Sequence, residues 1–329
     1  MIRIALDAMG GDHAPRVCIE GSQLALEQFE DLHLDLVGPA DIIEKECAEM
    51  GITPSDRLEI VHAPEYIEMH ESPVEALRKK RESSLRVMTS RLKEGQCDAI
   101  FSAGNTGAVV AASTMLLGLL PGVRRAGIAV ALPVERPVVL IDVGANVTCK
   151  PHHLLQYAVM ASEFSSRVYG IENPSVGLLN IGEEEAKGNA LAKETHDLFR
   201  NANLNYRGNV EGRDIFHSDC SVVVCDGFVG NIVLKTAEGL WEKLNEILVH
   251  EVMSGGGDAL KQGLGRMKKR LDYNNYGGAP LLGAKGTVII GHGRSDAKAV
   301  ASAVRWAREM VVARVNDYIV ESVAAVSTE

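Results

Sequence analysis

The chain has 329 residues, 46% of them hydrophobic, and a mean hydropathy of +0.01. This supports one large or two ordinary globular domains, and no apolar run reaches the ~18 residues of a membrane span. A net charge of −10 and 5% aromatic residues argue against nucleic acid as a partner, because cations for phosphate and rings for base stacking are both scarce.

The first stretch, IALDAMGGDHAP (4–15), is an apolar strand running into Asp7, a Gly10-Gly11 turn, then Asp12 and His13. Pro15 opens a helical pattern, since proline is tolerated where a first-turn N–H has no partner. The N-terminus lacks the basic start and cleavage site of a signal peptide and reads as the first strand of a cytoplasmic protein. Strands are predicted at 33–38, 58–63, 97–104, 127–133, 138–146, 176–182, 221–227 and 286–293. Helices are predicted at 41–50, twice within 64–95, at 106–120 with Asn105 as N-cap, and at 151–169. A last helix starts at Asp296 and carries apolar residues at Val300, Val304, Ala307, Val311 and Val315, the period of an amphipathic helix.

The strands are continuous apolar runs rather than alternating ones, the mark of a sheet covered on both faces and mostly parallel. The expected fold is therefore α/β: a single three-layer α/β/α domain over 1–329, with a helical excursion at 228–271. Two lobes of one α/β protein are the runner-up. The six cysteines form no CxxC pair and read as reduced, mostly buried thiols, so no metal site is expected.

Strand after strand ends in glycine beside Asn, Asp or His. The series runs Asp7-Gly10-Gly11-Asp12-His13, Gly104-Asn105-Thr106-Gly107, Asp142-Gly144-Asn146, Asn180-Gly182, Asp226-Gly227, Gly230-Asn231 and Gly291-His292-Gly293. One such turn is uninformative. The repetition predicts a crevice of backbone N–H groups and short polar side chains, suited to phosphate or to a carbonyl oxygen becoming an oxyanion. The P-loop, GxGxxG and GxSxG fingerprints are absent. Lys187 follows a strand among Glu183, Glu184 and Glu185; it is either a solvated ion pair or a cation at the crevice. Asn231 and Lys235, four residues apart, share one helix face opposite Val229, Val233, Leu240, Leu244 and Leu248. His13 and His292 are candidate acids or phosphate donors. Asp7, Gly10, Gly11, Asn105, Asn146, Asp226 and Lys285 complete the candidate substrate-binding set.

IALDAMGGDHAP, SAGNTGA, LIDVGANV, LLNIGEEEAKGN, CDGFVGNIVLK and YGGAPLLGAKG occur in this order over nearly the whole chain. The ordered set closely resembles the PlsX family, the phosphate acyltransferases of bacterial phospholipid synthesis. The resemblance implies transfer of an acyl chain from acyl-acyl carrier protein to inorganic phosphate, giving acyl phosphate, without cofactor or metal. It implies a fold similar to phosphotransacetylases and isocitrate-type dehydrogenases, and a homodimer. It also implies a cytoplasmic enzyme that visits the membrane surface and hands its product to an integral glycerol-3-phosphate acyltransferase. By matching motif positions it places His13, Lys187 and Asn231 in the active site, with Asn105, Asn146 and Asp226 less securely carried over.

The chemistry fits the inventory. Phosphate is largely dianionic at neutral pH and the thiol leaving group has a pKa near ~8.5, so neither strong base nor strong acid is required. In the family the helical excursion is thought to carry an apolar membrane tip; here the tip, EVMSGGGDALKQG, is weakly apolar. The preceding helix, with Leu240, Trp241, Leu244, Ile247 and Leu248, reads as core or dimer packing. An acidic carrier protein needs clustered cations on an acidic chain. Arg266 with Lys268, Lys269 and Arg270 is the expected docking cluster, and Arg78-Lys79-Lys80-Arg81 a solvated helix face. A nucleotide-linked dehydrogenase of similar fold and a non-catalytic scaffold between fatty-acid and phospholipid enzymes are the competing readings.

Overall fold

The structure, a computed structural model, describes residues 1–132, 136–217, 219–255, 265 and 277–327. The chain opens β1 (Ile2–Asp7), α1 (Arg16–Gln28), β2 (Leu32–Gly38), α2 (Ala40–Glu49), β3 (Leu58–His62), α3 (Pro73–Lys79), α4 (Ser84–Lys93) and β4 (Ala99–Ser102). It continues with α5 (Thr106–Ala112), which passes into a π-helical turn at Ser113–Leu117, then β5 (Gly127–Leu132), β6 (Val138–Ile141) and α6 (Pro151–Tyr169). Next come β7 (Ser175–Asn180), α7 (Ala190–Asn201), β8 (Asn205–Glu211), β9 (Val222–Val224) and α8 (Gly227–Gly255). The chain closes with β10 (Ala279–Leu282), β11 (Thr287–Ile290), α9 (Ala297–Val312) and α10 (Val315–Ser327).

The eleven strands among the described residues join one sheet in the order β3-β2-β1-β4-β11-β10-β5-β6-β9-β7-β8. Both faces are covered because successive residues of each strand point opposite ways. Ile4 and Leu6 of β1 enter one core with Ile19 of α1, Tyr157 of α6 and Val304 of α9. Ala5 between them enters the other core, with Leu77 of α3, Met88 of α4 and Val109 of α5. This is the expected α/β/α layering.

The sheet is mostly parallel but not wholly so. β10 is antiparallel to β11 and to β5, and β5 is antiparallel to β6. The pairings therefore set β6, β9, β7 and β8 running opposite to β3, β2, β1, β4 and β11, and the carboxyl ends do not share one edge as a simple parallel sheet would dictate. A contact links the two sets of ends. α8 leaves the end of β9 and reaches the loop after β11, where Lys235 Nζ lies 3.2 Å from His292 Nε2.

Several boundaries differ from the sequence pattern. α5 stops at Ala112 instead of Leu120, where the π turn takes over and Gly118 adopts φ +98°. The last helical run is two helices, broken at Arg314 (φ 52°). β8 and β10 were not legible. β8 is a polar strand at the sheet edge, and β10 carries Pro280 and forms an antiparallel hairpin with β11. Five of the six cysteines are buried, Cys149 is half-buried, and all six are free.

Candidate active site

The site is built from loops at strand ends, each organised by one buried aspartate. Asp7, the last residue of β1, accepts a hydrogen bond from Ser102 Oγ (2.8 Å) at the end of β4 and one from the Met9 N–H (3.3 Å). Ser102 Oγ in turn accepts from the Gly104 N–H (3.1 Å). A Cβ on Gly10 would fall 2.8 Å from the Gly104 nitrogen, so only glycine lets the two loops meet. The Asp12 N–H donates to the Gly293 carbonyl (2.8 Å), which ties the β1 loop to the loop after β11. Burial pushes the Asp7 carboxyl above the usual carboxylate range.

Asp142, immediately after β6, gathers more donors. Its Oδ1 accepts from the N–H groups of Ile128 (3.1 Å), Gly144 (3.0 Å) and Ala145 (2.9 Å). Its Oδ2 accepts from the Asn146 N–H (2.8 Å) and Asn146 Nδ2 (3.3 Å). The N–H groups of this glycine turn thus face inward, toward the aspartate, and are not free to line a crevice. Burial raises the Asp142 carboxyl, against these hydrogen bonds. α8 seats directly on the loop. A Cβ on Gly230 would overlap the Asp142 carbonyl oxygen, and one on Gly227 would lie 2.8 Å from the Asn146 carbonyl oxygen. Asp226 caps the helix by accepting from the Phe228 (3.0 Å) and Val229 (2.9 Å) N–H groups.

The candidate residues fall into three groups in this frame. Asn105, Asn146 and Asp226 have their polar atoms engaged by the scaffold. Asn105 Oδ1 caps α5 at the Ala108 N–H (3.1 Å), and its Nδ2 donates to the carbonyls of Met69 (3.1 Å) and Glu71 (2.9 Å). Asn146 Nδ2 donates to the Ala126 carbonyl (2.6 Å) and to Tyr157 Oη (2.8 Å). His13, Lys187, Asn231, Lys235 and His292 present side chains at the loops instead. His13 is exposed in the turn before α1. Lys187 is exposed after β7, on the carboxyl edge shared with β6 and β9. Glu185 pairs with Arg200 (2.9 Å), and among the described residues no carboxylate lies within 4.0 Å of Lys187 Nζ. Asn231, exposed on the first turns of α8, lies against the β6 loop: a Cβ on Gly144 would be 3.6 Å from its Oδ1.

Lys235 and His292 join the two sets of strand ends. Lys235 Nζ donates to Glu238 Oε2 (2.7 Å) as well as meeting His292. Burial, and then the Lys235 charge, hold the imidazole below its usual pKa, which favours the neutral ring. Lys285 is not part of this group. It occupies the β10–β11 turn, at the amino end of β11, whereas His292 follows the carboxyl end of the same strand. The β10–β11 hairpin runs from Ala279, paired with Ile290 at the carboxyl end of β11, to Lys285 at the opposite edge of the sheet. The docking cluster Arg266, Lys268, Lys269 and Arg270, and the hairpin beyond Gly255, lie outside the described residues. The Arg78–Arg81 run is engaged on α3 and just after it: Lys79 pairs with Glu75 (2.7 Å) and Lys80 with Glu71 (2.6 Å).

One further cluster has metal-ligand chemistry. His33, Asp35 and Glu59 bring ligand atoms within 4.8 Å of one another on β2 and β3. Arg91 lies 2.8 Å from Asp35, and Arg3 lies 3.5 Å from Asp35 and 3.3 Å from Glu59, so two guanidinium cations already hold these carboxylates.

The family model described as "Fatty acid synthesis protein" matches residues 2–318. A "Phosphate acyltransferase" of Desulforamulus reducens is 47% identical over 316 residues, covering 94% of both chains. That of Bacillus subtilis is 44% identical over 336 residues, covering 100% of both. The chain belongs to the PlsX family of phosphate acyltransferases. Its fold is shared more widely. A phosphotransacetylase from Streptococcus pyogenes superposes with a TM-score of 0.65 at 17% identity, covering 94% of each chain. A 4-hydroxythreonine-4-phosphate dehydrogenase from Klebsiella pneumoniae gives 0.55 at 14% identity, covering 94% of this chain and 98% of its own. At those identities the likeness speaks for architecture alone.

Asp142 is the residue sequence reasoning undervalued. In a family of α/β enzymes the Asp-x-Gly-x-Asn run after a strand reads as a ligand loop. The signal for a scaffold role was available, since an aspartate readily collects the N–H groups two to four residues ahead of it.

Proposed function

We propose that this chain transfers a fatty acyl group from acyl-acyl carrier protein to inorganic phosphate, releasing acyl phosphate and the free carrier thiol. The observation that carries the reading is the 3.2 Å approach of Lys235 Nζ to His292 Nε2, where α8, with Asn231 against the β6 loop, reaches the loop after β11. It is backed by near-full-length identity of 44–48% to phosphate acyltransferases. A phosphate oxygen attacks the thioester carbonyl, the carbon–oxygen bond forms, and the carbonyl oxygen takes the negative charge. The carbon–sulfur bond then breaks and the thiolate leaves, to be protonated from solvent.

The residues divide this work as follows. Lys235, beside His292, and Lys187 supply the positive field that gathers phosphate and answers the developing oxyanion. Asn231 and His13 donate hydrogen bonds from opposite sides of the crevice. No cysteine serves as nucleophile: Cys149, the half-buried thiol beside the β6 loop, has its pKa pushed up by burial to about 11. The dehydrogenase and scaffold readings find no observation that favours them.

A homodimer is part of the proposal. Phe228 (58% exposed), Ile232 (50%), Leu240 (60%) and Leu244 (44%) form a stripe along α8 that the other described residues leave uncovered. Of the two readings of this helix, core or dimer packing, the outward stripe supports the dimer. No helix among the described residues is long and apolar enough to cross a membrane. Transient contact with the membrane surface, and delivery of acyl phosphate to an integral glycerol-3-phosphate acyltransferase, complete the reading. The decisive test is incubation with acyl-acyl carrier protein and labelled phosphate. Label should appear in acyl phosphate with one free carrier thiol per turnover. Thiol release without labelled acyl phosphate would make the chain a thioesterase and overturn the assignment.

A further inference from the structure

An acidic chain that reads an acidic carrier must concentrate its cations somewhere. Among the described residues one cluster stands beside the site and takes no part in the chemistry above. Arg124 and Arg125 follow the Pro121-Gly122 turn; Lys150, His152 and His153 lie at the start of α6. Arg124, Arg125, Lys150 and His152 are exposed and His153 is half-buried.

Three sets of hydrogen bonds fix their mutual placement. Gln156 of α6 clamps the arginine loop, accepting from the Arg124 N–H (2.8 Å) and donating to the Gly122 carbonyl (2.8 Å). His153, one turn earlier on the same helix, accepts from the Lys150 N–H at 3.1 Å. Asn146 of the β6 loop donates to the Ala126 carbonyl (2.6 Å), next to Arg125. The positive group is therefore anchored to the loop on which Asn231 rests.

The charges that act most on His153 are of one sign. The cations Arg125, Lys150 and Arg124, with His152, all act on His153 in the same direction, behind burial, to lower its pKa. None of Arg124, Arg125 and Lys150 is within 4.0 Å of a described carboxylate, whereas Lys79, Lys80 and Lys235 each have one. The first turn of α6 carries no acidic residue, so the positive end of a 19-residue helix adds to the side-chain charge. Val147, 68% exposed, lies along the chain between Asn146 and Lys150 and offers an apolar contact. A rim of unpaired cations with a small apolar spot fits an acidic protein surface. A lipid surface calls for a broad apolar face, which this corner lacks.

We infer that the surface formed by Arg124, Arg125, Lys150 and His152, together with Val147, docks the acidic acyl carrier protein and directs its thioester arm over the β6 loop toward Asn231. The inference rests on the proposed acyl transfer and names where the donor is read.

The test is the triple reversal Arg124→Glu, Arg125→Glu, Lys150→Glu, with the neutral Arg124→Gln, Arg125→Gln, Lys150→Gln set as a milder partner. The Gln156 and His153 contacts use the backbone N–H groups of Arg124 and Lys150, so both variants keep them. Donors are acyl-acyl carrier protein and an uncharged acyl-pantetheine thioester. Binding of fluorescent acyl carrier protein is followed by anisotropy at low and high salt. The carrier KM and Kd should rise on the order of ten-fold in the reversed variant at low salt, and less in the neutral one. The difference should shrink as salt screens the surface. Phosphate KM and turnover of acyl-pantetheine should not move. An unchanged carrier Kd at low salt overturns the inference, as does loss of acyl-pantetheine turnover in both variants. Retained carrier affinity with lost binding to phosphatidylglycerol vesicles would instead make the corner a membrane contact. Wild-type chain that binds the carrier through these residues yet forms no acyl phosphate would sink the proposed reaction and leave the docking surface standing.

Discussion

Asp7 and Asp142 occupy equivalent places, each buried at the end of a strand beside a glycine turn, yet they hold different things. Asp7 bonds mainly to a side chain, the Ser102 hydroxyl, and the loops around it are joined to each other through backbone atoms and close glycine contacts. Asp142 bonds to backbone N–H groups, three of them from its own loop, and the seat of α8 is built on that loop. A hydroxyl rotor adapts to a changed acceptor; a set of fixed N–H groups does not. The β1 loop is accordingly tolerant and the β6 loop is not. A glycine-rich turn at a strand end therefore cannot be taken as a ring of free N–H donors until its internal acceptor has been sought.

The largest effect should come from breaking this asymmetry. Asp142→Asn places an NH2 group where an oxygen now accepts from N–H donors, stranding at least one of them and setting two donors face to face. Each buried unpaired group costs about 1–3 kcal/mol, and the loss should reach activity because Asn231 rests on the same loop. Asp7→Asn keeps one oxygen for the Ser102 hydroxyl and should cost markedly less. Chemical denaturation of the two variants, with turnover measured on the folded fraction, compares them directly. Equal losses would remove the distinction between the two aspartates.

A smaller effect on the fold, but a large one on turnover, is expected at Lys187. Its charge is unneutralised among the described residues, and its backbone is held by the Glu184 carbonyl (3.0 Å) and by Asn180 Nδ2 (3.2 Å). Lys187→Ala removes the cation without disturbing those bonds. On the proposed role, turnover falls on the order of 10²–10³-fold, the cost of one lost oxyanion donor, while the melting temperature stays put. Near-normal turnover would return Lys187 to the solvated surface.

Much of this architecture was legible in the chain. α6 runs Pro151–Tyr169 as the pattern required, because Pro151 fits the first turn and Gly170 takes the left-handed conformation (φ 67°) that ends it. Asn105 and Asp296 cap α5 and α9 through their own oxygens, at the helix starts the pattern gave, whereas α7, capped by Asn189, was not predicted. What escaped was non-local. Nothing in Ala279–Leu282 tells that these residues pair antiparallel with two neighbours, and that pairing is what reverses β6–β9–β7–β8 and sends Lys285 to the far edge. The break at Arg314 lacks a glycine or proline to announce it. At the site, residue types were legible and their partners were not. Asn231 and Asn146 look alike in sequence, but one amide faces outward and the other is bound to Ala126 and Tyr157.

The smallest effect tests the contact that joins the two sides. His292 belongs to the β11 loop and Lys235 to the helix seated on the β6 loop, so their 3.2 Å approach exists only when both are in place. Burial holds the imidazole pKa down first, and the Lys235 ammonium adds to it; Glu238 and Asp12 pull the other way and Arg294 reinforces the lowering. Lys235→Met removes the ammonium and leaves Glu238 unpaired beside the ring, while the burial remains. The His292 pKa should therefore move up, toward the ordinary histidine value of about 6.5. The stability linkage has a definite sign. A histidine whose folded pKa is depressed contributes fully above its unfolded pKa, and that contribution is lost as pH falls through the folded value. The variant should lose less from this group on acidification than the parent, because the gap between folded and unfolded pKa has narrowed. The ring resonances of His292, followed by NMR against pH in both proteins, give the measurement. A titration unmoved by Lys235→Met would mean that α8 and the β11 loop are not held together in solution, and the two sides of the crevice would then have to be treated as independent.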